Sequence, residues 1–99
     1  MEITGKQRAF LRGLSHHVDP VVFVGRDGTS EAVIRKAHLE LEAHELIKAR
    51  VGDGCELDIV TVATALAEGT GAVVVQTIGH TCSLYRRRKK KATIVLPKA

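Results

Sequence analysis

Hydrophobic and polar positions along this 99-residue chain change period several times, and each change predicts an element. Thr4 and Gln7 have capping-box spacing, which predicts a helix from Gly5 to Ser15 with Phe10, Leu11 and Leu14 on one apolar face. Arg8 and Arg12, four apart, point away from that face. Pro20 ends the helical tendency, and the apolar run Val21 to Val24 before Gly25 reads as a short buried strand. Gly25, Asp27 and Gly28 mark a turn. Ser30 is then placed to cap a second helix in which Val33, Ile34, Ala37 and Leu41 recur at helical spacing, with Glu31 in its first turn. From Leu46 to Val51 the period falls to two, with Ile47, Ala49 and Val51 on one face of a strand and Lys48 and Arg50 on the other.

After Val51 the pattern supports two readings. Asp53 and Glu56 have capping spacing, and Leu57, Val60, Ala63 and Ala67 line a helix that ends at Gly69 or Gly71. Ile59, Val60, Thr61, Val62 and Thr64 are β-branched, however, and suit a strand by propensity. The length of the segment favours the helix. Ala72 to Ile78 is strand-like, Gly79 and His80 suit a tight connection, Thr81 to Arg86 alternates as a returning strand, and Thr93 to Leu96 suits a short edge segment. The order αβαβαββ implies an α/β sandwich with one mixed four-stranded sheet. Strands separated by helices should pair through right-handed crossovers, and the last two should form a hairpin. A single domain over residues 1–99 is expected, because chains under roughly 150 residues seldom hold two cores. The 44% apolar content supplies one core without disulfides or metals.

Charge changes the picture by position. Lysine and arginine number 15 against 11 acidic residues, a net +4, and six of the basic residues are consecutive, Arg86 to Lys91. Without that block nine basic residues face 11 acidic ones, a remainder of −2, so the basic character is local. Such a block is either a solvated segment or a surface for phosphate backbones or anionic membranes. Aromatics are few: Phe10, Phe23 and Tyr85. A module that stacks several bases on aromatic rings is not supported. Tyr85 suits either stacking on a base or half-burial in its strand. Cys55 and Cys82 form no CxxC, no apolar run approaches the roughly 18 residues of a membrane span, and MEITGKQRAF has no apolar signal region; a soluble cytoplasmic protein is expected.

No catalytic or metal constellation is visible. His16 and His17 are adjacent in a loop beside Asp19, while His38, His44 and His80 are dispersed, and neither GxxxxGK[ST] nor GxGxxG occurs. Cys82, between Thr81 and Ser83, reads as a small buried hydrophobe. No cofactor, metal or small-molecule substrate is expected. Gly25-Arg26-Asp27-Gly28 remains, a GxxG between a strand and a helix. It reads either as a plain turn or as a close approach for a sugar-phosphate chain, with Arg26 as a phosphate donor and Asp27 opposing it.

Lys6-Gln7 with Leu11 and Leu14, Pro20-Val21-Val22 leading into Val24-Gly25-Arg26-Asp27-Gly28, His44-Glu45-Leu46-Ile47-Lys48, Thr70-Gly71, Ile78-Gly79 and Leu84-Tyr85-Arg86, in this order, resemble the CRM domain (chloroplast RNA splicing and ribosome maturation) in its stand-alone bacterial, YhbY-like form. The resemblance covers nearly the whole chain. It implies a fold related to the carboxy-terminal domain of translation initiation factor 3 and binding to structured RNA. Bacterial members of that family are linked to large-subunit ribosome precursors and plant members to intron splicing, and the family's glycine-flanked loop is likened to that of KH domains. A KH domain proper usually sets its GxxG between two helices, whereas a strand precedes it here. Asp27, His80, Cys82 and the strongly basic Arg87 to Lys91 depart from the family pattern.

The sequence therefore predicts a non-enzymatic RNA-binding protein acting on ribosomal RNA in large-subunit precursors. Gly25, Arg26, Asp27 and Gly28 would admit the backbone, Arg86, Arg87, Arg88, Lys89, Lys90 and Lys91 would supply most counterion release, and Lys6, Arg8, Arg12, Lys48 and Arg50 would extend the basic surface. The competing reading is a protein-interaction module whose basic block docks on an acidic protein. An anionic-membrane binder ranks last, because no amphipathic helix with bulky apolar residues flanks the block.

Overall fold

The computed structural model describes residues 2–98 and places three helices and four strands in the predicted order. Helix α1 (Gly5–Ser15) opens with the capping box: the Gln7 amide donates to the Thr4 hydroxyl (3.1 Å) and the Thr4 amide to Gln7 Oε1 (3.0 Å). Strand β1 (Pro20–Val24) leads to α2 (Glu31–His44), capped by Ser30, and then to β2 (Leu46–Val51). Helix α3 (Ile59–Thr70), β3 (Val73–Ile78) and β4 (Thr81–Tyr85) complete the chain order.

The segment after Val51 is a helix, but it starts later than the Asp53–Glu56 spacing suggested. The Cys55 amide donates back to Gly52 O, so residues after β2 turn first, and Asp58 becomes the cap, accepting from the Thr61 amide at 2.7 Å. That amide hydrogen bond holds the Asp58 carboxyl below its ordinary range. The later start rotates the buried face to Val62, Ala63, Leu66 and Thr70, leaving Leu57 and Val60 exposed. Gly71, in the left-handed conformation, ends the helix.

The sheet order is β1-β2-β4-β3, with β1 and β2 parallel and β4 antiparallel to both neighbours. The hairpin return inserts β4 between β2 and β3, so the expected pairing of β2 with β3 across α3 does not form. Burial explains the insertion. Cys82 and Leu84 face one side of the sheet, Ser83 and Tyr85 the other, and all four are buried, a requirement only an interior strand meets.

Each face of the sheet carries its own core. Val22, Val24, Ile47, Ala49 and Leu84 pack against Ala37 and Leu41 of α2 and Leu66 of α3. On the other face Leu46, Val75 and Tyr85 pack against Leu11 of α1, with Leu14, Ile94 and Leu96 at the margin. Two expectations change here. The run Val21 to Val24 is not wholly buried, because Phe23 alternates away from the α2 face and is 66% exposed. Residues Thr93 to Leu96 form no strand: the amides of Thr93 and Ile94 are spent on a carboxylate, and Ile94 and Leu96 cover the α1 core as irregular chain.

On α1, Leu11 is fully buried while Phe10, expected on the same face, is 39% exposed. Leu11→Ala therefore lowers unfolding stability by about 2 to 5 kcal/mol, whereas Phe10→Ala costs about 1 kcal/mol or less; urea titration of both variants checks the contrast.

Candidate nucleic-acid interface

The six-residue basic run follows β4 and divides into two kinds of side chain. Arg86 is a brace: its guanidinium donates to Glu42 Oε1 (2.8 Å), to Thr70 O at the end of α3 (2.7 Å), and to O and Nδ1 of His38 (3.2 and 2.9 Å). A guanidinium has no acceptor, so Nδ1 of His38 must be the unprotonated nitrogen in this contact. Arg88 donates to the carbonyls of Glu42 and Ala43 in the last turn of α2, and to Lys91 O (2.9 Å). Basic side chains at helix C-termini satisfy carbonyls left without partners. Arg87, Lys89, Lys90 and Lys91 are exposed, and among the described residues none of the four is in an ion pair.

Glu45 fixes this arm. It lies alone between α2 and β2, is fully buried, and has φ of 64° and ψ of −41°. Its Oε2 accepts from the Arg88 amide (2.8 Å), and its Oε1 accepts from the amides of Thr93 (2.7 Å) and Ile94 (2.9 Å) and from the Thr93 hydroxyl (2.8 Å). Burial pushes the carboxyl up, but the amides of Arg88 and Ile94, then the Thr93 hydroxyl and amide, outweigh it and hold its pKa at about 2. In the sequence this residue stood out only within the motif His44 to Lys48. The physical signal is an acid at a helix C-terminus, where the macrodipole opposes it unless strong donors meet it.

The glycine loop is at the opposite end of the sheet. Arg26 and Asp27 are exposed on a turn closed by the Gly28 amide donating to Gly25 O (3.0 Å). Gly28 is buried with φ of +61°, so the turn itself requires a glycine there, while the space around Gly25 is open. The segment between β2 and α3 packs against this loop, with Gly54 beside the Arg26 backbone and Leu57 over Gly28. It carries Asp53, Glu56 and Asp58, and Glu31 opens α2, so this end of the sheet is predominantly acidic. A strand of five or six residues, about 15 to 20 Å, separates this acidic end from the cationic arm.

The remaining candidates scatter. Arg8 donates to the carbonyls of Val74 and Val75, where the β3 register shifts, and so braces an edge strand. Lys6 and Arg12 are exposed on α1. Lys48 and Arg50 share the α1 face of β2, and exposed Phe23 lies beside Arg50 in register. Phe23 was hidden in the sequence by its apolar neighbours. Tyr85 is fully buried against Leu11 and cannot stack on a base. Burial also pushes the Cys82 thiol up to about 11, which keeps it protonated and unreactive. Among the described residues no group of three His, Cys, Asp or Glu could hold a metal ion, and no helix is long and apolar enough to cross a membrane.

Fold and site together define a small α/β protein that carries an anchored cationic arm. The chain belongs to the CRS1/YhbY (CRM) domain family, whose model matches residues 3–86. It is 44% identical over 95 residues to the probable RNA-binding protein YqeI of Bacillus subtilis, covering 96% of this chain and 99% of that protein. An RNA-binding protein of Haemophilus influenzae is 40% identical over 96 residues, covering 97% and 96% respectively. The solution structure of a hypothetical protein from Staphylococcus aureus superposes with a TM-score of 0.78 at 36% identity, covering 97% of this chain and 100% of that one.

Glu45 links the arm to pH. A carboxyl lowered from 4.5 to about 2 contributes stability that is complete above the unfolded value and lost as pH falls through the folded one. Acid unfolding is therefore expected to show a loss that sets in below pH 4.5 and continues to about pH 2. Glu45→Gln should remove that component and lower stability at neutral pH by about 1.5 to 3 kcal/mol, as read by urea melts across pH.

Proposed function

We propose that this chain binds structured RNA without catalysing a reaction, with ribosomal RNA of large-subunit precursors as its target. The observation that carries the reading is the arm: Arg87, Lys89, Lys90 and Lys91 project from a segment anchored on both sides by one buried carboxylate. Four cations held on a folded support neutralise phosphates at a smaller entropy cost than a loose tail would. The relatives named as RNA-binding proteins over nearly the same length support it. The ribosomal target rests on the family resemblance. Lys6, Arg12, Lys48 and Arg50 extend the cationic surface, and Arg26 with Asp27 offers a weaker contact at the far end. Arg8, Arg86 and Arg88 serve the fold.

Binding should be strongly salt-dependent. Replacing Arg87, Lys89, Lys90 and Lys91 with glutamine flattens the slope of log K against log[salt] by about 3, while the fold survives; anisotropy titrations with a ribosomal RNA fragment read this directly. An unchanged slope removes the arm from the interface. Displacement of that fragment by an acidic polypeptide as readily as by unlabelled RNA would instead favour docking on an acidic protein. Sequencing RNA crosslinked to the protein in cells tests the ribosomal target.

The glycine loop makes a separate prediction. Asp27→Lys tightens binding at fixed salt by removing a repulsive charge beside the phosphates. Replacing both Arg26 and Asp27 with glutamate weakens it roughly 10-fold or more through loss of a charge-assisted contact. If both variants bind like the parent in the same titration, the loop is only a turn leading into α2.

A further inference from the structure

We infer that the open half of the α1 face is a subsite for one unpaired nucleotide of RNA, its base stacked on Phe23 and its flanking phosphates held by Arg50 and Lys48. The inference rests on the RNA-binding reading above and names the part of the RNA that the sheet takes. Strand register builds the site. Phe23 of β1 lies beside Arg50 of β2, Arg50 pairs with Thr81 of β4, and Thr81 with Ile78 of β3, so one row crosses the whole sheet. The next row on the same face carries Lys48, Ser83 and Gln76. A depression of about 200 Å³ lies over these strands, with His16 at its rim and buried Ser83 on its floor.

This half of the face is open because α1 stops short. The helix ends at Ser15, whose hydroxyl accepts from the Gln76 side chain (3.1 Å), and the chain turns off through His16 and His17 towards β1. Phe23 and Ile78 are left 66% and 61% exposed at the two ends of the row. Among the described residues neither Lys48 nor Arg50 is in an ion pair. The occupant must therefore offer a flat apolar surface to a phenyl ring and negative charge to two cations about one strand spacing away.

A nucleotide meets both demands: its base stacks on the ring, and phosphates on either side meet the cations. A second copy of this chain does not, because pairing the face with itself opposes Lys48 and Arg50 to their own duplicates. An apolar peptide would bury the same two charges unpaired, which is strongly unfavourable. Bases inside a duplex are stacked on one another and present only their edges, so the nucleotide must be unpaired. One exposed aromatic in the row allows one stacked base, in keeping with a protein that recognises structured RNA at a loop, bulge or end.

The chain has no tryptophan, so Phe23→Trp introduces a single indole whose emission reports on this position alone. The probes are an RNA hairpin carrying a single-stranded tail and the same hairpin with a blunt end. The tailed hairpin is expected to quench the Phe23→Trp emission and the blunt one to leave it unchanged. Phe23→Ala should weaken the tailed hairpin roughly 5- to 100-fold and the blunt hairpin hardly at all, with thermal melts confirming the fold. Arg50→Gln should weaken the tailed hairpin in the same selective way. If the tailed hairpin leaves the indole unquenched and binds Phe23→Ala like the parent, while neutralising the arm weakens both hairpins, the subsite is overturned and the RNA-binding reading stands. A parent protein that binds neither hairpin at low salt overturns both.

Discussion

The carboxylate of Glu45 accepts three backbone amides and one hydroxyl in a fully buried position, and four parts of the chain meet there. Its own amide closes α2 by donating to Leu41 O, and its carbonyl accepts from the Arg86 amide as β4 ends. Helix α2 passes into β2 with this single residue between them, which forces the backbone into a positive φ. Such a conformation costs of order 1–3 kcal/mol in a residue other than glycine and persists only where the surroundings determine it. A glycine would relax the backbone but supply no acceptor. Burial of the carboxylate and order in residues 88–94 therefore depend on each other: without the arm the charge lacks partners, and without the charge the arm lacks an anchor.

That dependence gives the molecule its polarity. Parallel β1 and β2 both end where the helix N-termini of α2 and α3 lie, with Asp53, Glu56 and Asp58 in the loop after β2 and Asp27 in that after β1, while the cations of the arm gather at the other end beside the C-terminus of α2. Arg86 and Arg88 hold that arrangement by satisfying the last carbonyls of α2 and α3. The basic run is thus two bracing arginines and four cations that, among the described residues, are in no ion pair. The family model matches residues 3–86, and the alignments with the relatives of Bacillus subtilis and Haemophilus influenzae extend past it across these four cations.

Much of the fold was legible because local signals and global packing agree. The Thr4–Gln7 box, the Ser30 cap, the period-two pattern of Leu46 to Val51 and the Gly79 turn each recur in the structure where the chain pattern put them. The misreadings have one cause, which is that sequence pattern does not say what covers each side chain. Phe23 sits in an unbroken apolar run, yet β1 is an edge strand, the α1-side core is built without it, and Phe23 is left bare. Asp53 has capping spacing with Glu56, but the turn through Gly52 delays the helix, and Asp58 caps it instead. Arg8, Arg86 and Arg88 looked like surface charges because their carbonyl partners lie 66, 16 and about 45 residues away in sequence. Glu45 carries no local signature of its role beyond an acid where a helix dipole disfavours one.

Amide hydrogen exchange of the intact chain distinguishes an arm anchored by Glu45 from a loose one. If Glu45 anchors the arm, the amides of Arg88, Thr93 and Ile94 exchange slowly, well below the rate of an open chain, while those of Lys89 and Lys90 exchange freely. Protection at the first three should then disappear together as the carboxylate is protonated, and before β2 and β4 lose theirs. Exchange at Arg88, Thr93 and Ile94 as fast as at Lys89 and Lys90 in neutral buffer, with the sheet fully protected, would mean that Glu45 does not anchor the arm.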